Sequence, residues 1–239
     1  MKYPRIWIAV HGGPIGAAQS PETPPAVLHL LAGHESLLVR WPVAENPNTP
    51  GAALRKLAES GDDDIIASVA SNPNTPKDLL EEWSGQKGYY GVQEAVAGNP
   101  NTPAEGLRRL AKDEIAAVRL AVAANRSTPE DVIERFSKGN LQERKAVAAN
   151  PWTPVEVLRR LAKDRYRGLP GVREVVAANP STPVDILQWL ARRKTNTGHI
   201  GYNVAANPST PVALLKELLD HEFDSVRKAA AYRLQGISE

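Results

Sequence analysis

Seven times in this chain a Val-Ala-x-Asn segment runs into a turn that ends in Thr-Pro. The copies begin at Val43, Val69, Val96, Val122, Val147, Val176 and Val204, and a degraded turn, Ser20-Pro21-Glu22-Thr23-Pro24, precedes them. The closing prolines, Pro24, Pro50, Pro76, Pro103, Pro129, Pro154, Pro183 and Pro211, lie 25 to 29 residues apart. A fixed period of that length is the mark of stacked repeats, in which each unit buries its apolar face only against its neighbours. No composition break or long linker separates the copies. The expectation is therefore an all-α solenoid of about eight two-helix repeats spanning 20–239, with 1–19 as an N-terminal extension or cap.

A helix is expected after each turn. The Thr at 49, 75, 102, 128, 153, 182 and 210 reads as an N-cap acceptor, with the next Pro at the first helical position, where a missing N–H is harmless. Apolar residues then recur at helical spacing, as in Leu54/Leu57, Leu107/Leu110, Leu158/Leu161 and Leu187/Leu190. Trp83 and Phe136 occupy such core positions. The second element ends at the Asn and reads as shorter, either α or partly 3₁₀. Its pairs Val39/Val43, Ile65/Val69, Val92/Val96, Val118/Val122 and Val172/Val176 are four apart, each followed by Ala. The Asn reads as a stop, tolerant of the left-handed conformation and followed by Pro. The C-terminal segment 226–232 reads as a cap.

The strings Val118-Arg119-x-Ala121-Val122-Ala123-x-Asn125-x-x-Thr128-Pro129 and Ala148-x-Asn150-Pro151-x-Thr153-Pro154-x-x-x-Leu158-x-x-Leu161-Ala162-x-Asp164 resemble the leucine-rich repeat variant family, over residues 20–235. That resemblance implies a right-handed superhelix of alternating α and 3₁₀ helices, akin to HEAT and armadillo arrays. Some relatives carry an iron–sulfur cluster on a Cys-rich N-terminal module. This chain has no Cys, so that cofactor is not carried over, and no other cofactor is expected. The first twenty residues match nothing in the family pattern.

Other classes find little support. No apolar run approaches the ~18 residues that span a bilayer, and the start reads as no signal peptide, so a cytoplasmic protein without membrane contact is expected. The five His are scattered, without the spacing of a metal site. Gly12-Gly13-Pro14-Ile15-Gly16 lacks the ending of a phosphate loop, Asp62-Asp63-Asp64 reads as a solvated turn, and no nucleophile elbow or small-molecule site is evident. The expectation is a protein that is not an enzyme.

Charge is uneven. Residues 1–103 hold 7 Lys and Arg against 11 Asp and Glu, net −4, whereas 104–239 hold 22 against 16, net +6. The basic residues include the pairs Arg108/Arg109, Arg144/Lys145, Arg159/Arg160 and Arg192/Arg193. Arg40, Arg119, Arg144 and Arg173 recur six residues before the Asn. They form either a structural ladder, pairing for example Asp113 with Arg119 and Asp164 with Arg173, or a binding stripe.

Exceptions to the repeat supply the remaining candidates. Arg126 replaces the turn Pro, and Trp152 replaces a small polar residue; an exposed turn aromatic is either an anchor or a cover for a neighbouring loop. Trp41, Lys145 and Tyr202 share one register and line a groove if the repeats stack. Three overlong loops, 85–91, 165–171 and 194–201, carry Tyr89, Tyr90, Tyr166 and Arg167 among glycines, as binding edges or tolerated insertions do. Two functions fit. One is a non-catalytic scaffold holding a protein or peptide, with Arg126, Trp152, Lys145, Arg108, Arg109, Arg159, Arg160, Tyr89, Tyr90, Tyr166 and Arg167 as contacts. The alternative is nucleic-acid binding through the basic half, 104–194.

Overall fold

The computed structural model describes residues 4–86, 90–164, 171–193 and 198–237. Among these residues every regular element is an α-helix, eighteen in all. The chain divides into two compact units, Met1–Pro129 and Glu130–Glu239.

In the first unit the helices following each turn are α3 (Pro25–Leu31), α5 (Gly51–Ala58), α7 (Lys77–Gly85) and α9 (Ala104–Leu110), preceded by α1 (Pro4–Val10). The helices ending at the Asn position are α2 (Gly13–Gln19), α4 (Leu37–Glu45), α6 (Asp63–Ser71), α8 (Tyr90–Gly98) and α10 (Ala116–Ala124). In the second unit the two sets are α11 (Glu130–Phe136), α13 (Val155–Leu161), α15 (Val184–Ala191) and α17 (Val212–Leu218), and α12 (Leu141–Ala149), α14 (Val172–Ala178), α16 (His199–Ala206) and α18 (Asp224–Gln235). Each unit is a helical solenoid. In the first, α2, α4, α6, α8 and α10 pack in succession; in the second, α12, α14, α16 and α18 do the same.

The core follows the sequence periodicity. Val43, Val69, Val96, Val122, Val147, Val176 and Val204 and the Ala after each are fully buried, as are Leu54, Leu107, Leu158, Leu187 and Leu215. Trp83 and Phe136 are buried at Leu positions. The helix before the Asn is not shorter than its partner and is not 3₁₀: α6 and α10 have nine residues, whereas α9 and α13 have seven.

Two local readings are corrected. The Thr is not the N-cap; the following Pro is, in an extended conformation, as at Pro50 (φ −72°, ψ 151°) and Pro103 (φ −60°, ψ 151°). The Thr hydroxyl instead donates backwards to the Val carbonyl six residues earlier: Thr49 to Val43 at 2.5 Å, Thr153 to Val147 at 2.6 Å, and Thr210 to Val204 at 2.5 Å. It closes the turn onto the preceding helix end, whose last carbonyls lack helical partners.

Nor is the Asn left-handed. Asn46, Asn72, Asn125, Asn150, Asn179 and Asn207 have φ from −66° to −70° and ψ from 118° to 133°. A following Pro disfavours helical backbone and holds most of these residues extended, and Asn125, followed by Arg126, keeps the same geometry. The Asn side chain, buried in every copy, then bridges repeats. Asn72 donates to Ala44 O at 2.7 Å and Asn46 O at 3.0 Å, while its own Oδ1 accepts from Asn74 N at 2.9 Å. Asn99 donates to Ala70 and Asn72, and Asn125 to Ala97 and Asn99. In the second unit Asn179 reaches Ala148 and Asn150, and Asn207 reaches Ala177 and Asn179.

The first rung lies upstream of the first full repeat. Asn46 donates to Ala18 O and Ser20 O, both at 2.8 Å, and Thr23 donates to Ala17 O. Residues 17–24, Ala-Ala-Gln-Ser-Pro-Glu-Thr-Pro, thus stand in register with Val43–Pro50. With small Ala17 and with Ser20 in place of Asn, the segment is easily missed in sequence.

Candidate functional site

Positions five, four and one before the Asn point away from the core. In the first unit many of them are small. Ala67, Ser68 and Ser71 of α6, Ala95 and Gly98 of α8 and Ala121 of α10 line an open groove of about 680 Å³. Glu45 and Glu94 give it acidic walls. Beside it Trp41 is 47% exposed, and its indole N–H donates to Glu45 Oε1 at 2.7 Å. The shared register read for Trp41, Lys145 and Tyr202 is real: they stand on α4, α12 and α16, each on the outward part of its helix.

The basic residues are mostly engaged. Arg109 pairs with Glu81 and also donates to Ser84 Oγ, its Nη2 at 2.9 Å. Arg160 repeats that arrangement with Glu134, at 2.7 Å, and Ser137. Arg159 reaches forward to Asp185 at 2.5 Å, and Arg55 to Asp78 at 2.6 Å; Arg108 pairs with Glu105 at 2.5 Å. Arg159 and Arg55 hold the Asp185 and Asp78 carboxyls below their ordinary range. Lys138, then Arg160, does the same for Glu134.

Of the Arg residues six before the Asn, Arg119 and Arg144 are structural, though not with the acids expected, whereas Arg40 and Arg173 each bury an Nε without a hydrogen-bond partner among the described residues. Arg119 donates to the backbone carbonyls of Asp113 (2.7 Å) and Glu114 (2.9 Å). Arg227 at the equivalent place caps His221 and Glu222. Arg144 caps the Gly139 carbonyl, and it takes Asp164 (2.8 Å), the acid expected for Arg173. Gln93, in the same register, donates to Gln86 O at 2.9 Å. At Gln93, Arg119, Arg144 and Arg227 the long polar side chain ties down the loop leading into its own helix. Asp62 caps α6 by accepting from Ile65 N at 3.0 Å, which gives the acidic run a local role.

Of the other candidates, Arg126 is exposed in its turn in the first unit. Trp152, 60% exposed, stands in the second unit where other repeats carry Asn or Ser. In those repeats the side chain hydrogen-bonds the preceding turn, as Asn74 does to Pro47 O at 2.6 Å and Ser181 to Pro151 O at 2.6 Å. Lys145 is half-buried on α12. Tyr89, Tyr166 and Arg167 lie outside the described residues. Tyr90 begins α8, and the description covers its backbone only.

Residues 142–197 match the family model of the leucine-rich repeat variant domain, and residues 90–115 that of the leucine-rich repeat variant. In these two stretches the chain is similar to the leucine-rich repeat variant family. A solved structure described as a leucine-rich repeat variant with a novel repetitive structural motif is 24% identical, covering 87% of this chain and 80% of its own, with a TM-score of 0.51. The likeness is one of fold. An engineered protein's structure, 18% identical over 88% of this chain and 95% of its own, has a TM-score of 0.26 and carries no weight here. No curated protein matches the chain. The groove lies on helices ending at the Asn, whereas the ion pairs of Arg55, Arg108, Arg109, Arg159 and Arg160 lie on helices that follow the turn. Among the described residues, no helix is long and apolar enough to cross a membrane.

Proposed function

We propose that this helical-repeat protein is a non-catalytic scaffold that holds a peptide or extended protein segment in the groove over α4, α6, α8 and α10. The observation that carries the reading is the groove itself: about 680 Å³, floored by Ala, Ser and Gly side chains on successive repeats. The small residues that floor the groove let another backbone approach closely. The exposed or half-buried residues Arg126, Arg108 and Arg109, and in the second unit Trp152, Lys145, Arg159 and Arg160, are proposed as further contacts.

The nucleic-acid alternative through 104–194 has less support. Phosphate binding needs cations free to displace counterions, and Arg109, Arg144, Arg159 and Arg160 each face a carboxylate.

Panning a random peptide library against wild type and against the doubly blocked S68R/A95R variant tests the reading. Both positions are partly exposed, so the arginines can project into the groove without entering the core. Peptides recovered by wild type and not by the variant are expected. Recovery of none, or of the same peptides by both, sinks the proposal. Capture of generic duplex at low salt that fades steeply toward physiological salt would revive the alternative.

A further inference from the structure

The helices that follow the turn carry a side-chain lock in two places. In α7 and α9 it consists of Glu81, Ser84 and Arg109; in α11 and α13, of Glu134, Ser137 and Arg160. The residues in the same register on α13 and α15 are Arg159, Ala162 and Trp189. The Arg and Ala recur elsewhere, as Arg55 with Ala58 and as Arg108 with Ala111, but the indole in the reaching position does not. Charged residues, Lys56, Glu82, Arg109, Arg135, Arg160 and Glu217, hold the Trp189 position in the six other full repeats, and Leu30 holds it on α3.

No core need explains that indole. Ile186, Leu187 and Leu190 bury the inner face of α15, whereas Trp189 is 37% exposed. It borders two clefts. One, of about 240 Å³, is lined by Arg159, Ala162, Lys163, Asp185 and Ile186 with the indole. The other, of about 540 Å³, holds Arg192 and Arg193, and the Arg193 guanidinium carbon lies 4.3 Å from the indole centroid. Asp185 is the one acid lining either cleft, and Arg159 already engages it. Lys163 and Arg192 are exposed and face no carboxylate among the described residues.

We propose that this face of α13 and α15 binds a nucleotide unit, its base stacked on Trp189 and its phosphate held by Lys163 and Arg192. An exposed ring flanked by uncompensated cations is the arrangement that stacks an unpaired base beside its backbone. An acidic peptide would use the cations but leave the indole idle. The site is separate from the peptide groove, lies in the other unit, and stands or falls independently of it.

The test is fluorescence anisotropy with a labelled ten-residue deoxythymidine strand at low salt, with ATP as a competing probe. A glutamate decapeptide serves as the acidic control, and circular dichroism checks the fold of each variant. Saturable strand binding is expected, weakened at least about tenfold in W189A and restored to within about threefold in W189F, since stacking needs only a ring. K163E/R192E should abolish it. Competition by ATP identifies a free nucleotide as sufficient; strand binding without it identifies the single strand. Absence of saturable binding to both probes, equal binding by wild type and W189A, or a decapeptide binding as tightly as the strand overturns the proposal.

Discussion

The side-chain amide of Asn72 donates to the carbonyl of Asn46, twenty-six residues earlier, at 3.0 Å. Its second hydrogen goes to Ala44 O at 2.7 Å. The residue that ends one helix is therefore also the bolt between two repeats, and it is buried where water cannot substitute.

Asn72→Ala should lower unfolding stability by about 2–4 kcal/mol, because it strips two buried carbonyls of a donor and removes the acceptor for Asn74 N. Asn74→Ala removes bonds to Pro47 and Thr49 at the exposed edge and should cost about 1 kcal/mol or less. Urea denaturation of both variants measures the difference. Equal losses would contradict the ladder.

Thr102 distinguishes a donor from a cap. As a donor to Val96 O at 2.5 Å, its loss in Thr102→Val should cost about 1 kcal/mol, with Thr102→Ser close to neutral. Thr102→Asp, a good substitution at an N-cap, should instead be the worst of the three, about 2 kcal/mol or more, since a carboxylate cannot donate and would face a buried carbonyl. Thermal melts of the set decide between the roles.

Asp78, Glu134, Asp185 and Asp224 are held below their ordinary range by hydrogen bonds from Arg55, Lys138, Arg159 and Lys228 respectively. A depressed folded value contributes stability that is fully present above the unfolded value, about 4. That contribution is lost as pH falls through the lower folded values. The stability difference between wild type and D185N should therefore shrink on acidification below about pH 4, and added salt should shrink it at neutral pH. These pairs are exposed, so each effect is small. A difference that grows on acidification would reverse the sign argued here.

Gly198 has φ +66°, and a Cβ built there would lie 2.8 Å from Phe223 Cγ. Gly198→Ala should cost about 1–3 kcal/mol through left-handed strain and displacement of the ring. Gly98, with nothing within 4 Å of its would-be Cβ, is the control: Gly98→Ala in helix α8 should be neutral or slightly stabilising. Parallel denaturation curves separate the two.

The apolar periodicity was enough to locate the helices and the core. Trp83 and Phe136 could be placed by spacing alone, because burial follows from which face of a helix a residue occupies. The candidate site was less legible. Ala95 and Ser68 carry no chemical signal and matter only as the floor of a groove. Trp189 stood out only once the register of Glu81, Ser84 and Arg109 was known.

By itself, then, the sequence determined the repeat, the positions of its turns and the buried faces, since these depend on residues within a few places of one another. Tertiary structure decided what Asn72, Thr102 and Arg144 do. Asn72 and Arg144 bond atoms 20 to 28 residues away, and the register of stacking brings those atoms within reach. Thr102 bonds only six residues back, but the extended turn chooses that carbonyl over the helix ahead. The same stacking left Arg159 tied to Asp185 and Lys163 without an ion-pair partner among the described residues, a distinction that two basic letters cannot carry.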